Sequence, residues 1–144
     1  MSDIRIVPMS AEHLPALAEL ECVCFADPWS EAALRDELGN PCAHFLVAVC
    51  AEEVAGYLGC HHIAGEGFVT NIAVFPAYQR RGIGRALVKA ALSEPIDRLA
   101  LEVRASNTAA IALYRSLGFV QDGCRPRFYA HPTEDALLFS YYRS

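Results

Sequence analysis

The sequence predicts an α/β protein in which a mixed, mostly antiparallel sheet of six to seven strands is flanked by about four helices. Two observations point there. Strand-like and helix-like runs follow one another in the order β-α-α-β-β-β-α-β-α-β-β. Hairpin-type connections also sit beside strand–helix–strand crossovers, so the sheet mixes directions and needs helices on both faces. The 144 residues suit one domain over 1–144. A content of 53% hydrophobic and 20% charged residues provides a core and argues against disorder.

Each element has its own signal. Ile4-Arg5-Ile6-Val7 reads as a first strand. From Ser10 to Glu21, Leu14, Leu17 and Glu21 recur at helical spacing, with Ser10 as N-cap and Pro15 tolerable only near the helix start. Ser30 caps a second helix through Leu34 and Leu38 that Gly39 ends. His44–Ala51 and Val54–Ile63 are β-rich and joined by Glu52-Glu53, a hairpin pattern. Phe68–Val74 is a strand stopped by Pro76. Ile83, Leu87 and Ala91 share one face of a helix over Gly82–Leu92. Leu99–Val103 is a strand. Asn107 caps a helix reaching Leu117, with Gly118 just beyond it, and Phe119–Cys124 and Ala136–Tyr142 are closing strands.

Composition excludes several classes. No apolar run approaches the roughly 20 residues of a membrane span. The segment MSDIRIVP lacks the basic start and apolar stretch of a secretory signal. Cysteines at 22, 24, 42, 50, 60 and 124 lie mostly in apolar runs, which reads as buried free thiols in a reducing cytoplasm. A net charge of −5 with a single lysine, Lys89, argues against nucleic-acid binding and would suit a basic peptide. No metal site is expected. Cys22-x-Cys24 has the wrong spacing for zinc, and His61 and His62, adjacent on a strand, point to opposite faces.

The most informative stretch runs from Asn71 to Arg85. A strand enters a glycine-containing turn that opens a helix, so unpaired backbone N–H groups and the positive end of a helix dipole face one point. That is an anion site. Gly82 and Gly84 let the backbone approach a pyrophosphate, and Arg80, Arg81 and Arg85 add charge-assisted contacts. The lysine and hydroxyl residue of a nucleoside-triphosphate loop are missing, as is Gly-x-Gly-x-x-Gly. Spacing alone thus says only that an anion sits at a helix start.

Gln79-Arg80-Arg81-Gly82-Ile83-Gly84 resembles the acetyl-CoA signature of the GNAT N-acetyltransferase superfamily, Q/R-x-x-G-x-G/A. Leu101–Asn107 and Ala112–Phe119 are similar to the second half of that superfamily. With Asp27-Pro28-Trp29-Ser30, they resemble its RimI-type branch, which acetylates the N-terminal alanine of small-subunit ribosomal protein eighteen. The resemblance implies a GNAT-type sheet, acetyl-CoA as cosubstrate, and a protein partner with a free N-terminal alanine, with neither nucleic acid nor membrane as direct partner. It implies that the Ile72, Ala73 and Val74 backbone pairs with the pantetheine arm, with the Val74 N–H as oxyanion donor. Arg80, Arg81, Gly82, Ile83, Gly84 and Arg85 would cradle the pyrophosphate, and Asn107 would contact the cofactor. Glu102 would be the general base and Tyr114 the general acid, while Trp29 and Tyr129, the latter in a loop between the last two strands, would line the peptide groove.

The chemistry agrees with those residue types. An α-amine of pKa about 7.7–8.0 must lose its proton to attack a thioester, and a carboxylate within an apolar strand is a suitable base whose pKa desolvation would raise. The alternative for Glu102 is pairing with Arg104 on its own strand face. A phenol can protonate or hydrogen-bond the departing thiolate. The acceptor stays open at this point between a protein α-amine, a lysine side chain and a small amine, as do a non-enzymatic acetyl-CoA-binding role and the oligomeric state. Two features depart from the branch: a shorter Leu92–Leu99 stretch and a different C-terminal loop.

Overall fold

A computed structural model describes residues 4–143. Seven strands form one sheet: β1 (Ile4–Pro8), β2 (Leu46–Cys50), β3 (Glu53–Ile63), β4 (Glu66–Val74), β5 (Arg98–Arg104), β6 (Val120–Ala130) and β7 (Thr133–Tyr142). Their spatial order is β1-β2-β3-β4-β5-β7-β6. Every neighbouring pair is antiparallel except β4 and β5. The four helices are α1 (Leu14–Cys24), α2 (Glu31–Glu37), α3 (Ile83–Leu92) and α4 (Thr108–Ser116). The expected mixed, mostly antiparallel sheet is the one observed.

Strand alternation assigns the two faces. Val47, Val49, Tyr57 and Ala73 pack with Leu14, Leu17 and Leu20 of α1 and Leu34 of α2. Ala48, Cys50, Leu58 and Cys60 project the other way, onto Ile83, Leu87 and Ala91 of α3 and Tyr114 of α4. The helices therefore sandwich the sheet because each strand residue faces opposite to its neighbour.

The β2–β3 hairpin turns at Ala51 and Glu52, both at positive φ (50° and 67°), one residue earlier than the expected Glu52-Glu53. Two positive-φ residues match strand twist, the usual reason such turns join hairpins. Ser10 leads into a 3-10 turn at Ala11–His13 before α1, its backbone N–H donating to His13 Nδ1 at 3.0 Å. α1 itself starts at Leu14, which puts Pro15 in the first turn, where no intrahelical donor is lost. Arg125–Tyr129, expected as a loop, lies inside β6. A register shift between Arg125 and Tyr129 accommodates Pro126 and the positive φ of Arg127 (54°). The six cysteines are free, but only Cys50 and Cys60 are buried, because Cys22, Cys42 and Cys124 fall on exposed positions. No helix among the described residues is long and apolar enough to cross a membrane.

One irregularity shapes the middle of the sheet. β4 and β5 pair only at Glu66↔Arg98, Gly67↔Leu99 and Phe68↔Ala100. Just beyond, β4 carries a bulge against β3, where Gly59 pairs Asn71 and Cys60 pairs Val69, leaving Thr70 extra. A bulge bends its strand, and β4 parts from β5 while β5 stays zipped to β7 through Arg104↔Ala136. On its other edge β4 is held close to β3. A Cβ on Gly56 would lie 2.7 Å from the Ala73 carbonyl oxygen and 3.2 Å from Val74 Cα. Gly56→Ala should therefore cost roughly 1–3 kcal/mol of stability, read as a lower urea midpoint at unchanged slope. An unaltered midpoint would contradict this packing.

Candidate active site

The parting of β4 from β5 opens a cleft of about 400 Å³ through the sheet. Val69, Thr70, Asn71 and Ile72 line one wall and Leu101 to Arg104 the other. From the α1–α2 side come Glu21, Cys24, Phe25 and Trp29; from α4 come Asn107 and Tyr114; Tyr129 closes the rim. A larger, shallower depression of about 860 Å³ lies between β1, the start of α1 and Pro76–Tyr78. It borders the outer strand β1 and has carboxylates, Glu12, Glu19, Glu52 and Glu53, but no buried phenol.

Glu102 and Tyr114 reach the cleft from opposite sides of the sheet. In β5, Leu99, Leu101 and Val103 point into the α3–α4 core, so Glu102 points away from it, toward the α1–α2 face. The desolvation expected from its apolar neighbours is therefore incomplete: its side chain is 31% exposed. Oε2 lies 3.1 Å from Arg125 Nε, an ion pair without hydrogen-bond alignment. Arg125 takes the place expected of Arg104. Arg104 instead binds Glu134 at 3.3 Å and the His131 and Pro132 carbonyls, with its guanidinium 4.4 Å from the centre of the Tyr129 ring.

Tyr114 is buried, 4% exposed, against Phe119. Burial first, and then the nearby Tyr129, push its phenol up to about 12. It thus stays protonated at neutral pH as a permanent donor. Asn107 caps α4, its side-chain oxygen accepting from the Ala110 N–H at 3.1 Å.

The backbone at the cleft is equally specific. The Phe75 N–H donates to Ala55 across toward β3 at 2.9 Å. Successive N–H groups alternate along a strand, so those of Val74 and Ile72 face the side that β5 has vacated. The Val74 carbonyl accepts from Gln79 Nε2 at 3.1 Å, which ties the next loop to the strand end.

That loop leads into α3. Arg80 (φ 65°) and Gly82 (φ 77°) both adopt left-handed backbone, with Gly82 as the N-cap of α3. A Cβ on Gly82 would meet nothing within 4 Å, so open space lies beside it. A hollow of about 230 Å³, lined by Val74, Gln79, Arg80, Gly82, Gly84 and Arg85 among others, adjoins the helix start. The residues fit a bound diphosphate: free N–H groups at the electropositive end of a ten-residue helix beside two arginines. Arg81 stacks over the Tyr78 ring at 5.4 Å and Arg85 donates to Ser116 at 2.9 Å.

A buried polar cluster lies behind the cleft, at residues that no sequence motif marks. Glu21, 1% exposed, accepts from the Tyr57 phenol (2.5 Å), from Asn71 Nδ2 (2.8 Å) and from the Trp29 N–H (2.8 Å). Asn71 Nδ2 also reaches the Tyr57 oxygen. The signal was a carboxylate at helical spacing with Leu14 and Leu17, where a leucine would be expected. Burial, and then the adjacent Glu21, push the Tyr57 phenol up, so it too remains a donor. The same two causes push up the Cys24 thiol, which leaves the one cysteine of the cleft a poor nucleophile.

Residues 14–119 match the acetyltransferase (GNAT) family. The chain is 39% identical over 143 residues to the [ribosomal protein bS18]-alanine N-acetyltransferase of Escherichia coli (strain K12), covering 94% of this chain and 95% of that one. It is 42% identical over 126 residues to the N-alpha-acetyltransferase RimI of Mycobacterium tuberculosis, covering 83% and 80% respectively. The crystal structure of the ribosomal-protein-S18-alanine N-acetyltransferase from Escherichia coli superposes with a TM-score of 0.90 at 34% identity, over 99% of this chain and 95% of that one. The chain belongs to the GNAT acetyltransferase family. It is an acetyl-CoA-dependent N-acetyltransferase.

The Tyr114 phenol supplies a direct test of the site's environment. Unfolded chains release this proton near pH 10, the native state near 12. The contribution of the neutral phenol to stability is thus complete below pH 10 and is lost as pH rises to about 12. In an alkaline absorbance titration, Tyr114→Phe should remove a tyrosinate step at about pH 12. Removal of a step near pH 10 would contradict the burial.

Proposed function

We propose that this single domain transfers the acetyl group of acetyl-CoA to the N-terminal α-amine of a protein, namely the N-terminal alanine of small-subunit ribosomal protein eighteen, in the cytoplasm. One observation carries the reading: a carboxylate and a buried phenol border one cleft from opposite faces of the sheet, with free strand N–H groups between them. A peptide end arriving from the α1–α2 face and a thioester arriving from the α3–α4 face would meet in that gap. The names of the relatives support the substrate, and six free cysteines suit a reducing compartment. The net charge of −5 suits a basic peptide and needs no contact with nucleic acid or membrane.

In this reading Glu102, directly or through one water, takes the proton that the α-amine gives up on attack. The Val74 N–H donates to the oxyanion, a kind of contact typically worth a few kcal/mol. Tyr114 hydrogen-bonds the departing thiolate. With the phenol at about 12 and a thiol near 8.5, full proton transfer is uphill by roughly 5 kcal/mol. Donation of a hydrogen bond is therefore the larger part of its role, with the proton delivered late. Ile72 and Ala73 line the pantetheine path. Arg80, Arg81, Gly82, Ile83, Gly84 and Arg85 hold the diphosphate, and Asn107 adds a polar contact from the cap of α4. Trp29, fixed by its N–H to Glu21, and Tyr129, pinned under Arg104, shape the peptide groove. The acyl group arrives already activated, so no covalent enzyme intermediate is needed.

Glu102→Gln and Tyr114→Phe should each lower kcat by roughly 10²–10⁴-fold while acetyl-CoA binding persists. Wild-type turnover in both variants would remove those roles. An Ala-starting basic peptide should release CoA, whereas the same peptide blocked at its N-terminus should not. Equal turnover of the two would exclude the α-amine as acceptor.

A further inference from the structure

His61 and His62 point to opposite faces of β3, as adjacent strand residues must. His61 meets Glu37 at 2.8 Å on the α2 side. His62 has a different setting, at the far end of β4 from the cleft. The segment before β2 runs antiparallel to the end of β3 there, fixed by His44 N–H to Cys60 O (2.7 Å) and His62 N–H to Cys42 O (2.8 Å). This pairing puts His44 and His62 on the same face, their rings stacked with centroids 3.7 Å apart at 13°. Glu94, just past the end of α3, brings Oε1 to 3.3 Å from His44 Nδ1. One ligating atom from each of the three lies within 4.8 Å of the other two. His62 Nε2 is shielded from solvent and has no hydrogen-bond partner.

We propose that His44, His62 and Glu94 form a zinc-binding site that clasps the end of α3 to the sheet. Two imidazoles and one carboxylate are a donor set that zinc accepts, with water in the fourth position. Two ligands about 2.0–2.1 Å from a tetrahedral ion sit about 3.3 Å apart, the separation His44 and Glu94 already have. His44 and Glu94 are both partly exposed and free to turn, and the His44 ring must swing out of its stack for the two in-plane lone pairs to converge on one ion. An ion also answers the unpartnered nitrogen of His62, which a neighbouring stacked ring does not. Three separate chain segments supply the ligands, so the ion would act as a cross-link. None of the three lines the cleft that Glu102 and Tyr114 border, so the site needs no part in acetyl transfer.

Zinc chloride titrated calorimetrically into chelator-treated full-length protein should bind at about one ion per chain and raise the thermal midpoint. Loss of even an outer-shell partner of a metal costs roughly 10–100-fold in affinity. His44→Ala and His62→Ala should therefore each weaken binding by at least about 100-fold and abolish the thermal shift. Glu94→Gln, a milder change, should weaken it with the circular dichroism spectrum unchanged. Substituting Cys22 and Cys24 with serine should leave binding intact. Absence of zinc uptake by the wild type overturns the proposal, as does binding that survives both histidine substitutions or disappears with the thiols.

Discussion

Three backbone pairs hold β4 to β5, and beyond Phe68 and Ala100 the two strands part. Nearly everything at the site follows from that separation. A closed sheet would bury the Val74 and Ile72 N–H groups in a ladder. An open one leaves them directed at the gap, where a carbonyl oxygen can be received. The gap also lets one cleft communicate with both faces of the sheet. Glu102 on one face and Tyr114 on the other thereby border a single cleft. The separation is built in rather than accidental, because the bulge at Thr70 bends β4 while Gly56 keeps its other edge tight on β3.

A bent strand needs support, and the Glu21 cluster supplies it. A carboxylate taken out of water is costly unless its oxygens are satisfied. Here three donors arrive from β3, β4 and the chain entering α2. Asn71, one of them, lies at the bulge itself, so the side chain that completes the network also holds the bent strand. The Trp29 backbone is the third donor, which ties a wall of the cleft to the same carboxylate. One carboxylate thus holds both a wall of the cleft and the bent strand, and a substitution at Glu21 would disturb both.

Much of this was legible in the sequence, for reasons particular to each element. The Gln79–Arg85 turn stood out because glycines, arginines and a helix start converge within seven residues. Glu102 and Tyr114 are singled out by resemblance alone, and strand alternation accounts for the face on which Glu102 lies. The parting of β4 and β5 was not legible, since a bulge depends on register, and register is a property of two strands at once. The Arg125–Glu102 pair escaped for the same cause: Pro126 reads locally as a breaker, yet the bulge in β6 carries the strand past it. Glu21 escaped because a glutamate in a helix reads as solvated unless its partners, fifty residues away at Asn71, are known. His44 and Glu94 stand eighteen and thirty-two residues from His62, so inspection of the His61-His62 pair alone could not join them.

The central claim is that the cleft between the parted strands, and not the larger depression beside β1, receives both reactants. A crystal structure with an alanyl peptide joined through an acetyl bridge to coenzyme A tests it most directly. The account predicts the sulfur between β4 and β5, the bridging carbonyl oxygen on the Val74 N–H, the diphosphate on the amides of residues 80–85, and the alanine on the Glu102 side. A ligand seated between Arg5, Glu19 and Pro76, with the cleft left to solvent, would contradict it.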